Sequence, residues 1–209
     1  SLALLYGQKA ENAGNDSTYS INAPVNLTAG NHFSTKLGNN GTVNAYTVIT
    51  SLGAAGSTTG TDLQGISGDL TLNYFLGADI NASSTSTWNG GAGFAPIGAD
   101  SGSAFTGAFD GGGHTISGLT INRPTTNYVG LFGYTDGAAL SNIGLVNANV
   151  TGGSRVGGLV GDNLNSKIKN SSVTGSVAGK TSEEIIPYQY GYTYTGGLVG
   201  HNSNGGEIS

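Results

Sequence analysis

Ionisable side chains carry most enzyme chemistry, and this sequence has few of them. His32, His114 and His201 lie far apart, and a zinc-protease motif of the His-Glu-x-x-His type is absent. The twelve acids are scattered, and the only adjacent pair, Glu183 and Glu184, would point to opposite faces of a strand. Paired carboxylates of the glycosidase kind are therefore not indicated. We expect a protein that is not an enzyme and that holds no metal or cofactor.

Two aspartates stand beside glycine-rich turns. Asp110 precedes Gly111 and is the only acid close in sequence to a histidine, His114, while Asp162 follows Gly161. Aspartate in a turn commonly accepts hydrogen bonds from its own backbone. We expect both carboxylates to do so.

Aromatic side chains offer a different chemistry, the recognition of sugars and of protein surfaces. Tyr188, Tyr190, Tyr192 and Tyr194 occupy alternate positions, so a continuous strand would place all four on one face. Each ring combines apolar area with a polar tip, which suits partner binding. We favour the alternative, in which this segment folds back and covers the body of the protein, and keep the four tyrosines as candidates for partner binding.

The single tryptophan, Trp88, lies in an irregular segment with Phe94 and Pro96. A sugar could stack on its ring, which makes Trp88 a further candidate for partner binding. We favour the interpretation that these three residues form an apolar clasp over one side of the fold.

Composition excludes other classes of function. Charged residues make up 9% of the chain and the net charge is −5 without any basic run, so nucleic acid is not an expected partner. Cysteine and methionine are absent, which fits a protein exposed to oxidants outside the cell. The opening residues lack the basic lead of a signal peptide, and no apolar run approaches a membrane span. We expect a secreted or cell-surface protein.

A repeated block must position the candidate side chains. The pattern Gly-Leu-x-Gly occurs at residues 130–133, 158–161 and 197–200. The first two leucines are 28 residues apart and the next two are 39 apart, because residues 181–194 have no counterpart in the preceding copy. One copy therefore carries an insertion, and the last copy stops partway, so we expect a fragment of a longer chain.

The repeats also predict the fold. Apolar residues alternate in short runs, as Ile143 and Leu145 do, and glycine and asparagine separate the runs, which indicates strands and no helix. Short strands in units of about 20 to 30 residues favour a solenoid, in which each coil buries its apolar face against its neighbours. We predict an all-β, right-handed parallel β-helix with short loop or hairpin insertions.

We expect one continuous solenoid with two parts. Residues 1–104 would form less regular coils with insertions rich in glycine, asparagine and threonine, and residues 105–209 would form the regular coils. In the first part, strands are predicted around Ile21 to Leu27 and around Val43 to Ile49, with a turn at residues 38–41.

The Gly-Leu-x-Gly blocks resemble the GLUG repeat, which occurs in large bacterial adhesins and in the stalks of IgA-specific metallopeptidases. Residues 19–27, 61–66 and 109–116 resemble filamentous-haemagglutinin-like exoproteins of two-partner secretion. The resemblance implies export by an outer-membrane transporter, which would recognise a part of the parent chain not present here. It also implies adhesion to host cells, other bacteria or surfaces.

We therefore predict an adhesin shaft whose partners are host or bacterial surface glycans or proteins. One alternative is a structural subunit of an extracellular fibre or matrix, with end-to-end self-association through unpaired strand edges. An ice-binding solenoid and a polysaccharide-active β-helix enzyme are further alternatives, because the fold alone does not determine the function.

Overall fold

The computed structural model describes residues 1–7, 15, 17–180 and 193–209. Within these ranges the chain is nearly all β and forms a parallel β-solenoid of about six turns. The strands are β1 (Leu2–Tyr6), β2 (Gly30–Leu37), β3 (Val43–Ile49), β4 (Tyr74–Leu76), β5 (Ile80–Asn81), β6 (Ala108–Asp110), β7 (Thr115–Ser117), β8 (Thr120–Asn122), β9 (Phe132–Asp136), β10 (Ala139–Ser141), β11 (Gly144–Thr151), β12 (Val156–Gly157), β13 (Val160–Leu164), β14 (Lys167–Lys169), β15 (Ser172–Ala178), β16 (Thr195–Gly196), β17 (Val199–Ser203) and β18 (Glu207–Ile208).

The regular coils repeat one path through three sides of the solenoid. One coil contains β10, β11, β12 and β13, and the next contains β14, β15, β16 and β17. Each strand of the first coil pairs in parallel with its counterpart in the second. The predicted all-β parallel solenoid is confirmed, and the additional residues of the third repeat copy fall between β15 and β16.

The parallel register stacks apolar side chains in ladders inside the solenoid. Burial of one such side chain contributes about 1.5–3 kcal/mol, so packing is the main source of stability in a chain with so few charges. Two of the ladders consist of Ile80, Ile116, Leu145 and Val173, and of Phe109, Leu140 and Ile168.

The first part of the chain departs from the regular coils. β2 pairs antiparallel with β3 across a turn at residues 38–41, and β1 joins β2 in parallel. Tyr74 packs in the interior while its neighbour Phe75 joins a separate cluster with Phe33, Tyr46 and Val48, which we call the outer core. Because successive strand residues face opposite sides of a sheet, the outer core covers the outside of the solenoid.

The strand predicted around Ile21 to Leu27 is wrong, and β2 takes its place in the sheet. Residues 21–27 have no regular structure, although Val25 N–H donates to the carbonyl oxygen of Gly112 at 2.9 Å and Leu27 N–H to that of Gly77 at 3.1 Å. Ile21, Val25 and Leu27 pack against the outer core. The alternation of apolar residues here serves packing and not strand pairing.

The described residues contain almost no helix, as expected, and the exceptions are two 3₁₀ segments, Gln64–Gly68 and Ser83–Gly91. In the second, hydroxyl groups of Thr85, Ser86 and Thr87 donate to carbonyl oxygens three residues earlier, at 2.6 to 3.1 Å. These local hydrogen bonds bend the chain where alternation is absent.

Tyr74 makes the stability of the solenoid sensitive to alkali. Its hydroxyl donates to the carbonyl oxygen of Asp69 at 2.7 Å, and burial, with the charge of Asp69, raises its pKa to about 12. The folded state therefore favours the neutral phenol of Tyr74. The contribution of this preference to the free energy of unfolding is fully present below pH 10 and is lost as the pH rises through 12. We expect Tyr74 to account for a loss of about 1 kcal/mol in the free energy of unfolding by pH 11.

Urea denaturation at pH 8 and pH 11 checks this prediction, with Tyr74→Phe as the variant that lacks the ionisable hydroxyl at this position. Its free energy of unfolding should decline less steeply with pH than that of the wild type. Burial also raises the pKa values of Tyr19 and Tyr46, so part of the decline should remain in the variant. Identical pH slopes for the two proteins would contradict the prediction.

Candidate functional site

Tyr128, Arg155 and Tyr194 stand one coil apart at the first position of three repeat copies, because the residues that follow them pair in parallel. Tyr128 and Arg155 adopt left-handed backbone angles, with φ of 58° and 54°, which mark a corner of the solenoid. Arg155 Nη1 donates to the Tyr128 hydroxyl at 2.6 Å, and the guanidinium carbon lies 5.1 Å from the centre of the Tyr128 ring. The contact is a cation–π interaction reinforced by a hydrogen bond.

Tyr134, Asp162 and His201 form the neighbouring ladder, three residues after the leucine of each repeat block. Asp162 is only 3% exposed, yet its carboxylate lies 3.3 Å from Arg155 Nε and 3.1 Å from His201 Nδ1. A buried carboxylate is tolerated when it is paired in this way. Burial, together with the charge of Asp162, raises the pKa of Tyr134, so this phenol stays neutral.

The two ladders form one aromatic–ionic cluster. The rings of Tyr128 and Tyr134 meet edge to face at 5.4 Å, and the rings of Tyr194 and His201 lie 4.5 Å apart. The half-exposed members present rings and a guanidinium to solvent above a buried carboxylate, an arrangement that suits a sugar or a protein surface. The half-exposed members are Tyr128, Arg155, Tyr194 and His201, and the buried members are Tyr134 and Asp162.

Of the four tyrosines predicted to share a face, Tyr194 is the one that the structure places. Its carbonyl oxygen accepts the N–H of Val156 at 2.8 Å, so it is anchored beside the preceding coil. Tyr188, Tyr190 and Tyr192 lie outside the described residues. Their common face and their binding role stay predictions, but the insertion re-enters the fold at the cluster.

The expectation for Asp162 is wrong, because its carboxylate contacts the side chains of Arg155 and His201 and not its own turn. Stacking of the coils brings these groups together from separate repeat copies. An alignment of the three copies within this sequence would have revealed the cluster, since its members recur at two fixed positions of the repeat.

Asp110 behaves partly as expected. It accepts the N–H of Gly112 at 2.9 Å, but it also accepts the Tyr19 hydroxyl and Asn142 Nδ2, each at 2.9 Å. The carboxylate near His114 is not that of Asp110 but that of Asp79, which lies 3.3 Å from Nδ1. Asp79 belongs to the preceding coil, so sequence proximity pointed to the wrong acid.

Trp88 packs as an apolar clasp would. Its half-buried ring stacks on that of Phe94, with centroids 6.4 Å apart and planes inclined by 20°. The ring also contacts the hydrophobic interior of the solenoid. A role for Trp88 in partner binding stays a prediction.

The described ranges contain no group of three or more histidine, cysteine, aspartate or glutamate side chains that could hold a metal ion. None of the helical segments placed by the structure is long and apolar enough to cross a membrane.

Comparison with known proteins connects this site to a repeat motif. The GLUG motif matches residues 152–178, which run from the end of β11 to β15 and include Arg155 and Asp162. The chain carries a GLUG repeat. An alignment of 126 positions, which covers 56% of the chain, is 49% identical to halomucin of Haloquadratum walsbyi (strain DSM 16790 / HBSQ001), and it spans 1% of the length of halomucin. No solved structure matches.

These two matches support a repetitive, surface-exposed protein with GLUG repeats. They point to a structural or surface role. Neither match bears on filamentous haemagglutinin or on two-partner secretion.

Proposed function

We propose that this chain is part of the shaft of a secreted or cell-surface adhesin, and that the aromatic–ionic cluster contacts a glycan or protein on another surface. The proposal rests on a half-exposed row of three side chains, Tyr128, Arg155 and Tyr194. Tyr194 is the last residue of the tyrosine-rich insertion. Tyrosine and arginine are the residue types that most often dominate binding energy at interfaces. Many copies on one surface would turn weak contacts into strong attachment.

In this proposal the parent protein resembles filamentous haemagglutinin in its export as well as in its fold. A two-partner-secretion transporter in the outer membrane would bind a part of the parent chain outside this sequence. Attachment to host cells, to other bacteria or within a biofilm would then depend on the exposed side of the shaft.

A glycan array and a cell-binding assay on the purified chain test the adhesive role. The variant replaces Tyr188, Tyr190, Tyr192 and Tyr194 with alanine, and we expect its affinity to fall at least about ten-fold, because interface tyrosines are frequent hot spots. Leu5→Ala is the control, since Leu5 is 69% exposed and lies far from the repeats in sequence. Unchanged binding by the tyrosine variant, or no binding by a folded wild type, would contradict the adhesive role.

A structural subunit of an extracellular fibre or matrix is the second candidate. A polar ladder favours it, in which the buried Thr135 hydroxyl donates to the buried Asn163 Oδ1 at 3.0 Å and Asn163 Nδ2 donates to Oδ1 of the exposed Asn202 at 2.7 Å. Such a ladder links successive coils along the axis and would stiffen the solenoid. This candidate predicts self-association without glycan binding, which sedimentation velocity measures.

A further inference from the structure

A cavity of about 270 Å³ lies on the outside of the eight-stranded sheet, beside the outer core. Tyr6, Tyr19 and Tyr46 line one side of it, and the strands β10 and β14 contribute the other side. The rings of Tyr6 and Tyr19 meet edge to face at 5.0 Å. The cavity shares no lining residue with the aromatic–ionic cluster, so it is a separate site.

The strand register defines the floor of this cavity. The central residues of β6, β10 and β14 are buried in the interior of the solenoid, so the residues on either side of them face outward. One outward row contains Asp110, Ser141 and Lys169, and the other contains Ala108, Ala139 and Lys167.

The small side chains of β10 leave room between the tyrosines and the lysines. Adjacent strands are about 4.8 Å apart, so β6, beside the tyrosine wall, is about 10 Å from β14, which carries the lysines. That spacing accommodates one sugar ring above Ala139 and Ser141. Small-molecule sites usually have volumes of about 300–1,000 Å³, so this cavity suits a monosaccharide or disaccharide unit and not a bulky ligand.

The charges of the floor favour an anion. Lys167 and Lys169 are two of the seven basic residues of an otherwise acidic chain. In the described part of the chain no acidic side chain lies within ion-pair distance of Lys169. Lys167 lies 3.4 Å from Glu207, but both side chains are more than half exposed, and such a pair is weak.

Among the residues that the structure describes, Asp110 is the one acid that lines the cavity, and it is not free to repel an anion strongly. It is 2% exposed, and both of its oxygens are already occupied by donors. These donors are the Tyr19 hydroxyl, the N–H of Gly112 and the amide of Asn142. The carboxylate therefore fixes Tyr19 in the wall, and the lysines remain the exposed charges of the floor.

We propose that this cavity binds a hexuronate, the carboxylate-bearing sugar unit of acidic polysaccharides. The sugar ring packs against the tyrosine wall through its apolar face, as sugars do on aromatic rings. Its carboxylate lies between Lys167 and Lys169, and the amides of Asn142 and Asn170, which also line the cavity, are in place to bond its hydroxyl groups. The inference is independent of the adhesive role proposed for the cluster.

Isothermal titration of the purified chain with digalacturonate, and with the neutral galactose disaccharide of the same linkage, tests the inference. Only the uronate should bind, and binding should weaken with added salt because the contacts are exposed. Lys167→Gln and Lys169→Gln should each weaken it by roughly three- to five-fold. Glu207→Gln should strengthen it, because it removes the acid that competes for Lys167.

Two further variants make the test specific to this cavity. Ala139→Phe should abolish binding by filling the floor, and Ala139 is exposed, so the fold should tolerate the larger side chain. Lys180→Gln removes the same charge elsewhere and should leave the affinity unchanged. Equal binding of the two disaccharides, no binding by the folded wild type, or equal losses in Lys169→Gln and Lys180→Gln would overturn the inference.

The tyrosine variant of the insertion separates the two proposals. Tyr194, the substituted residue that the structure describes, does not line the cavity, and we expect the variant to bind digalacturonate like the wild type even where it loses adhesion. Loss of uronate binding in that variant would place the uronate site at the insertion and overturn the assignment to this cavity.

Discussion

Replacing Phe132 with alanine should lower the free energy of unfolding by about 4 kcal/mol. Phe132 is fully buried in β9, where it pairs with Val160 of the next coil. Its ring lies 4.9 Å from that of Phe105 and 5.6 Å from that of Phe109. The variant loses this contact area and leaves a cavity that cannot collapse, because backbone hydrogen bonds hold the coils on both sides.

Urea denaturation measures the effect as a lower midpoint at an unchanged slope. Leu72→Ala is the matched control, since Leu72 is 45% exposed and its truncation should change the free energy of unfolding by less than about 0.5 kcal/mol. If the two variants were equally stable, stacking of apolar ladders would not be the main source of stability.

Gly158→Ala should cost about 3 kcal/mol, whereas Gly197→Ala at the equivalent position of the next repeat copy should be nearly neutral. A Cβ atom at Gly158 would lie 2.5 Å from Val173 Cγ1 and 2.6 Å from the carbonyl oxygen of Gly197. At Gly197 no atom of the described residues lies within 4 Å of such a Cβ. Neither glycine has a positive φ, so the contrast comes from contact with the next coil and not from backbone conformation.

Thermal and urea denaturation of both variants separates these causes. A large loss of stability confined to Gly158→Ala would show that the repeat requires glycine because successive coils stack closely. Similar losses of stability in both variants would show that the local backbone conformation requires glycine. The explanation by stacking would then be wrong.

The repeat spacing predicted the regular coils because a parallel solenoid preserves register. Equivalent residues of successive copies become neighbours, so the interval of 28 residues between Leu131 and Leu159 is also the length of one coil. Alternation then identified the buried side of each strand, as it did for Ile143 and Leu145. The same rules failed in the first part of the chain, where Ile21 to Leu27 alternate but pack on the outside of a sheet.

The candidate sites were harder to predict, because their members come from different coils. Alternation of four tyrosines identifies Tyr194 as an aromatic candidate, and residue type identifies Trp88. Arg155, Asp162 and His201 were not grouped, although each recurs at a fixed position of the repeat, because the 39-residue interval conceals the match.

By itself the sequence determined the all-β class, the parallel stacking and the place of the insertion, since all three are properties of local alternation and repeat length. Only the tertiary structure decided which polar groups meet. Tyr19 reaches Asp110 across 91 residues, and His114 pairs with Asp79 of the preceding coil instead of the nearer Asp110. The physical reason is that hydrogen bonds and ion pairs depend on the separation of atoms in space, which coil stacking and the outer core set independently of distance along the chain.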